Sequence, residues 1–158
     1  MRILGIDCGL SATGYAILHD GHIASNGIIQ TSKDESLSSR INTVYLGIRE
    51  VVEKEKPDLT VIENLFYGKN LKTLISLAHV RGVILLATHN TRMYEVTPAE
   101  VKKTATGNGR ASKQQVRYMI EKLLNIPQGF SEHIVDACAC ALWGQWKMEQ
   151  SNACLSQR

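Results

Sequence analysis

The period of apolar and polar positions changes several times along the chain, and each change marks an element. Residues 2–7 (RILGID) form an apolar run that ends in Asp7 and a turn containing Gly9. Residues 13–19 (TGYAILH) alternate well enough for a second strand. Asp20-Gly21 is a strong hairpin signal, and HIASNGIIQT at 22–31 returns as a third strand. From 36 to 57 (SLSSRINTVYLGIREVVEKEKP) the spacing of Leu37, Ile41, Val44, Tyr45, Ile48, Val51 and Val52 predicts an amphipathic helix, stopped by Pro57. DLTVIEN at 58–64 is a short strand ending in Glu63. LKTLISLAHVRGVILLATHN at 71–90 is a largely apolar helix, and RMYEVTP at 92–98 a fifth strand closed by Pro98. Residues 99–113 read as a short helical turn leading into a Gly/Asn loop. Ser112 is placed to cap a helix over SKQQVRYMIEKLLN, which ends before Pro127, and Ser131 to cap a last helix over SEHIVDACACALWGQWKMEQ. Residues 151–158 form a polar tail, expected to fray. The order predicts an α/β fold: a five-stranded mixed β-sheet, with a meander and then crossover strands, and helices on both faces.

With 158 residues the chain is the size of one domain, expected over 1–150, and too short for the two lobes of a sugar kinase or an actin-like ATPase. Hydrophobic residues at 44% and charged residues at 21% suit a globular protein and exclude a disordered one. No apolar stretch approaches the roughly 20 residues of a membrane span. MRILGIDCGL enters a strand without a secretory leader pattern, so a cytoplasmic location is expected. Cys8, Cys138, Cys140 and Cys154 form no CxxC pair or zinc spacing and read as free, mostly buried thiols.

The net charge of +3 is unevenly spread. Residues 1–65 carry 6 basic and 9 acidic groups, residues 66–122 carry 10 and 3, and residues 123–158 carry 2 and 3. A basic middle between weakly acidic ends suits a face offered to a polyanion, although a solvated lysine-rich surface has the same composition.

Chemistry concentrates at a few positions. Asp7 and Glu63 each end an apolar strand, and the strand order allows the two strands to be neighbours. Their carboxylates would then repel unless a cation intervenes. Taken singly, each is also the ordinary polar residue that ends a strand. His133 and Asp136 lie at i and i+3 on one face of the last helix, among Ile134, Val135, Ala137 and Ala139. An acid pointing into such a helix needs a partner, unless it sits in the first turn and is stabilised by the helix dipole. Three carboxylates and an imidazole suit Mg²⁺ or Mn²⁺ better than Zn²⁺. GIDCGLSATG also reads as a phosphate-cradling turn of the actin-like kind.

Together with VIENLF at 61–66, HVRGV at 79–83, VTPAEVKKTATGNGRASKQQV at 96–116 and the terminal EHIVDACACAL, the opening GIDCGLSATGY closely resembles the RuvC family. These are the bacterial Holliday-junction resolvases, members of the RNase H-like nucleotidyl-hydrolase fold, and the resemblance runs from about residue 2 to about residue 147. It implies a catalytic, metal-binding tetrad of Asp7, Glu63, His133 and Asp136; the family varies between Asp and His at the third position. Cys8 stands where the family usually has proline, which removes a stiffener of the turn but no ligand. The resemblance further implies a homodimer that binds four-way junction DNA and makes paired nicks leaving 5′-phosphate and 3′-hydroxyl ends. It also implies two Mg²⁺ ions per site, with Mn²⁺ as a substitute, and work beside a RuvA–RuvB branch-migration complex. In such a two-metal site Asp7 is the natural bridging ligand, His133 and Asp136 serve the ion at the attacking water, and Glu63 serves the other.

For DNA contacts, Phe66 is placed to stack on an unpaired base. Lys102, Lys103, Arg110 and Lys113 flank the Gly-Asn-Gly loop and are placed to hold phosphates, with Lys69, Lys72 and Arg81 extending the basic region. The helix at 71–90, apolar over more than one face, is the candidate dimer interface. Two rival readings are a nuclease of the same fold that trims ribosomal RNA, and a catalytically dead junction-binding module. The Glu63–Phe66 segment and the Lys102–Lys113 block argue against the first. The competent residue at every tetrad position argues against the second.

Overall fold

The chain runs β1 (Arg2–Asp7), β2 (Ala12–His19), β3 (His22–Gln30), α1 (Leu37–Glu55), β4 (Leu59–Glu63), α2 (Leu71–Ala87), β5 (Arg92–Val96), α3 (Pro98–Thr106), α4 (Lys113–Leu123) and α5 (Glu132–Leu155). This computed structural model describes residues 1–64, 71–127 and 129–155. The strands form one mixed sheet in the order β3-β2-β1-β4-β5. β1, β2 and β3 pair antiparallel, while β4 joins β1, and β5 joins β4, in parallel. The Asp20-Gly21 hairpin is present, with φ of 48° and 81° at its two turn residues and His19 opposite His22.

Two-residue alternation sends the central strands' side chains to two cores. Leu4, Ile6, Ile17 and Ile62 pack with α1 and α2 through Val44, Ile48, Val80 and Ile84. Ile3, Leu59 and Val61 face the other way, onto α5 and the buried residues of α3 and α4. β1 therefore offers its odd-numbered positions, Asp7 included, to the α5 side. There α5 lies almost directly on the backbone. A Cβ at Gly5 would stand 2.0 Å from the Ala137 carbonyl oxygen, and one at Gly14 would stand 2.2 Å from that of His133. Only glycine permits this approach.

Two elements differ from the sequence expectation. Residues 98–106 make a full helix, and Pro98 opens it as well as following β5. Thr97 Oγ1 accepts from the Glu100 amide while the Glu100 carboxylate accepts from the Thr97 amide, a capping box with proline just inside it. At the other end, α5 continues to Leu155 through five residues expected to fray. Extending a formed helix adds a hydrogen bond per residue without a new nucleation cost, and Ser151 Oγ donates to the Lys147 carbonyl at 2.9 Å. The Ser112 cap is present as a capping box with Gln115. The first turn of α5 closes on the Ser131 backbone carbonyl, which accepts from the Ile134 and Val135 amides. All four cysteines are free; Cys138 and Cys140 are both buried because α5 is enclosed by the sheet on one side and α3 and α4 on the other, while Cys154 is exposed. No helix among the described residues is long and apolar enough to cross a membrane.

Gly5→Ala and Gly14→Ala are expected to destabilise the protein by about 3 kcal/mol or more, the upper end of overpacking, because backbone rather than a movable side chain occupies the space. Denaturant unfolding measures this. An unchanged midpoint in both would show that α5 does not rest on these strands.

Candidate active site

The site begins where β1 and β4 stop together. Ile6 lies beside Ile62, so the next residue of each strand, Asp7 and Glu63, comes at the same edge of the sheet. Alternation points both to the α5 side. The chain leaving Asp7 is tied down at once: Thr13 Oγ1 donates to the Gly9 carbonyl at 2.7 Å, and the Thr31 amide to the Ser11 carbonyl at 3.1 Å. On its other side Asp7 is paired with Gly14, the residue against which the His133 backbone packs. That contact carries the start of α5 to Asp7. His133 Nδ1 and Asp7 Oδ2 are 2.7 Å apart, across 126 residues of sequence.

Asp136, one turn further along α5, enters the same cavity. This cavity, of about 240 Å³, is lined by Asp7, Glu63, Lys102, Lys113 and Asp136, with an apolar wall that includes Val101, Val116 and Cys140. Burial, and then the negative charge of Asp7, hold the Asp136 carboxyl above its ordinary range, with Lys113 acting against them. Lys113 Nζ lies 2.8 Å from Glu132 Oε1 and 3.3 Å from Asp136 Oδ2. Burial works to lower the Lys113 ammonium, but its contacts with Glu132 and Asp136 outweigh it and carry the group upward. Cys8, beside Asp7, is pushed up to about 12, first by burial and then by that carboxylate, and is a neutral thiol at physiological pH.

All four tetrad positions therefore meet at one end of the sheet. Asp7, Glu63 and Asp136 share the cavity, and His133 is bonded to Asp7 at its margin. Among the described residues, no three His, Cys, Asp or Glu side chains are gathered at metal-ligand spacing. Asp136 is instead held by Lys113, and Asp7 by His133.

Of the expected phosphate contacts, Lys102 and Lys113 reach the cavity. Lys103 and Arg110 are exposed and do not line it, and Lys72 is exposed on α2. Phe66 and Lys69 lie outside the described residues. Arg81 departs from expectation. It is only 9% exposed and does not extend a basic surface; its guanidinium bonds the Glu63 carbonyl and the Glu95 carboxylate. Its signal was present in the sequence: a charge inside the apolar run LAHVRGVILLA requires an internal partner. Arg117 has no place in the sequence expectation. It donates to Glu121 at 2.8 Å and to the Phe130 carbonyl at 2.7 Å, tying α4 to the loop that launches α5. No short-range pattern announces that contact, nor the pairing of Glu132 with Lys113.

The family model "Crossover junction endodeoxyribonuclease RuvC" matches residues 3–143. A protein of that name from Fusobacterium nucleatum subsp. nucleatum is 43% identical over 134 residues, covering 81% of this chain and 70% of the relative. One from Caldanaerobacter subterraneus subsp. tengcongensis is 37% identical over 149 residues, covering 90% of each. Among solved structures, Thermus thermophilus RuvC superimposes with a TM-score of 0.87 at 22% identity, over 96% of this chain and 97% of that one. Its complex with a Holliday junction substrate gives 0.90 at the same identity, over 96% of both chains. At that identity the two structures speak for the RNase H-like fold, and the match along the sequence places this chain in the RuvC family of crossover junction endodeoxyribonucleases.

Proposed function

We propose that this protein resolves four-way DNA junctions by metal-dependent hydrolysis of phosphodiester bonds, nicking paired strands to leave 5′-phosphate and 3′-hydroxyl ends. The observation that carries the reading is the cavity in which Asp7, Glu63 and Asp136 converge beside Lys102 and Lys113, with His133 bonded to Asp7. This donor set fits divalent cations. Burial, and then the negative charge of Asp7, already raise Asp136, and hard oxygen donors with one imidazole suit two Mg²⁺ ions, or Mn²⁺ in their place. Asp7, Glu63, His133 and Asp136 would hold them. Bound there, the ions supply an activated water and neutralise charge on the leaving 3′-oxygen.

The rest belongs to the chain. The bond between His133 and Asp7 fixes both side chains before substrate arrives, so neither has to be ordered during the reaction. Lys102 and Lys113, on separately capped helices, hold the phosphates flanking the scissile bond, and the exposed Lys103 and Arg110 meet the backbone further out. The apolar wall of Val101, Val116 and Cys140 excludes bulk water from one side of the carboxylates, which strengthens their electrostatics. The protein acts as a homodimer, so that two sites cut two strands. The support is the outer face of α2, where Leu71 is 71%, Ile75 48% and Leu86 59% exposed. It works in the cytoplasm, on junctions delivered by a RuvA–RuvB complex.

Asp7→Asn is expected to abolish cleavage of a synthetic four-way junction in Mg²⁺ while leaving junction binding intact, since affinity comes from basic residues spread over the surface. Cleavage at the wild-type rate would remove Asp7 from the chemistry. Lys102→Ala and Lys113→Ala should each make the logarithmic salt dependence of junction binding shallower by about one unit, one phosphate contact per lysine. Unchanged slopes would place both side chains away from the DNA. Leu86→Glu should shift sedimentation from dimer to monomer without loss of helical signal, and a persistent dimer would move the interface off α2.

A further inference from the structure

Arg81 projects from α2, buried at 9% exposure, toward the end of the sheet. Its Nη1 donates to the Glu63 backbone carbonyl at 3.0 Å, and its Nη2 lies 2.6 Å from Glu95 Oε1 on the edge strand β5. Stability alone does not call for this arrangement. Burying a guanidinium is expensive, and a well-packed apolar side chain of similar volume usually serves a core as well or better. What the arrangement does is local. Glu63 is the last residue of β4. The peptide that follows is held by the Asn64 amide, which donates to the Val96 carbonyl at 2.8 Å, and by Arg81 at the Glu63 oxygen. Two bonds to one peptide group fix its plane, and with it the direction in which the Glu63 side chain leaves the backbone. The rigid fork of the guanidinium also binds that plane to β5, something a single-point ammonium does less well.

We propose that Arg81 is a positioning residue for Glu63: it clamps the terminal peptide of β4 so that the Glu63 carboxylate is presented to a divalent cation without reorganisation. The inference rests on the reading of Glu63 as a metal ligand.

The test is a titration of the intact protein with Mn²⁺ in the absence of DNA. Free Mn²⁺ is followed by electron paramagnetic resonance, within the native baseline of each variant. Arg81→Met is expected to weaken Mn²⁺ binding about tenfold, the low end of what losing an outer partner of a metal ligand brings. Arg81→Lys should recover part of the affinity, because an ammonium still reaches one acceptor. Glu95→Gln, which keeps an oxygen for Nη2, should change it far less. Junction binding in EDTA should stay at the wild-type level in all three. A merely structural role predicts instead a parallel fall in Mn²⁺ binding and junction binding, and that result overturns the proposal. So does wild-type Mn²⁺ affinity in Arg81→Lys together with Arg81→Met, or in a folded Arg81→Lys if Arg81→Met fails to fold. Glu63→Gln separates the two layers: if it binds Mn²⁺ as tightly as wild type, the assignment of Glu63 as a ligand fails. If it binds weakly while the Arg81 variants do not, only the clamp fails.

Discussion

The contact on which the rest of this structure depends is backbone against backbone. α5 rests on β1 and β2 with no side chain between them at Gly5 and Gly14, where a single added carbon would stand within 2.0 and 2.2 Å of helix carbonyls. That closeness sets the height of α5 above the sheet, and therefore the reach of every side chain on its lower face. His133 and Asp136 are not brought to Asp7 by flexible arms; they arrive because the helix carrying them is seated one layer too close for anything else to fit. One of the two hydrophobic cores assembles on the same seating, with Val135, Ala137, Ala139 and Ala141 meeting Ile3, Leu59 and Val61.

Rigid placement creates an electrostatic problem, and the neighbourhood answers it with polar partners of different kinds. Asp7 has an imidazole at 2.7 Å, and Asp136 has the Lys113 ammonium at 3.3 Å. Lys113 is shared with Glu132, closer still but outside the cavity lining. Asp7 and Asp136 thus each have a polar partner at the mouth of the cavity, where a phosphate and metal ions have to be admitted. Arg81 is the opposite case, a permanently charged and largely buried group bound on two sides.

Much of this was legible in the sequence because it depended on short-range rules. Alternation located the strands, Asp20-Gly21 the hairpin, and spacings of three and four the helices. Asp7 and Glu63 stood out because a carboxylate after an apolar run is chemically conspicuous, and EHIVD put His133 and Asp136 on one helical face. The family resemblance then joined the four. Short-range rules also carry two features outside the expected pattern. Thr97-Pro98-Ala99-Glu100 is a helix start, but a proline after a strand reads first as a stop. Arg81 reads as surface charge by type, while its apolar neighbours argue for burial. What no local pattern carries is pairing across the fold: Lys113 with Glu132, Arg117 with the Phe130 carbonyl, and the clamp on Glu63 all join residues whose proximity is decided only when α2, α4 and α5 settle on the sheet.

The two helices that supply the cavity's lysines each begin with their own capping box, Thr97 with Glu100 and Ser112 with Gln115. Lys102 and Lys113 are therefore indexed to local starting points rather than to each other. The Gly107–Arg110 stretch between them is polar and largely exposed. A change at one cap would therefore shift one ammonium over the cavity and leave the other where it stands.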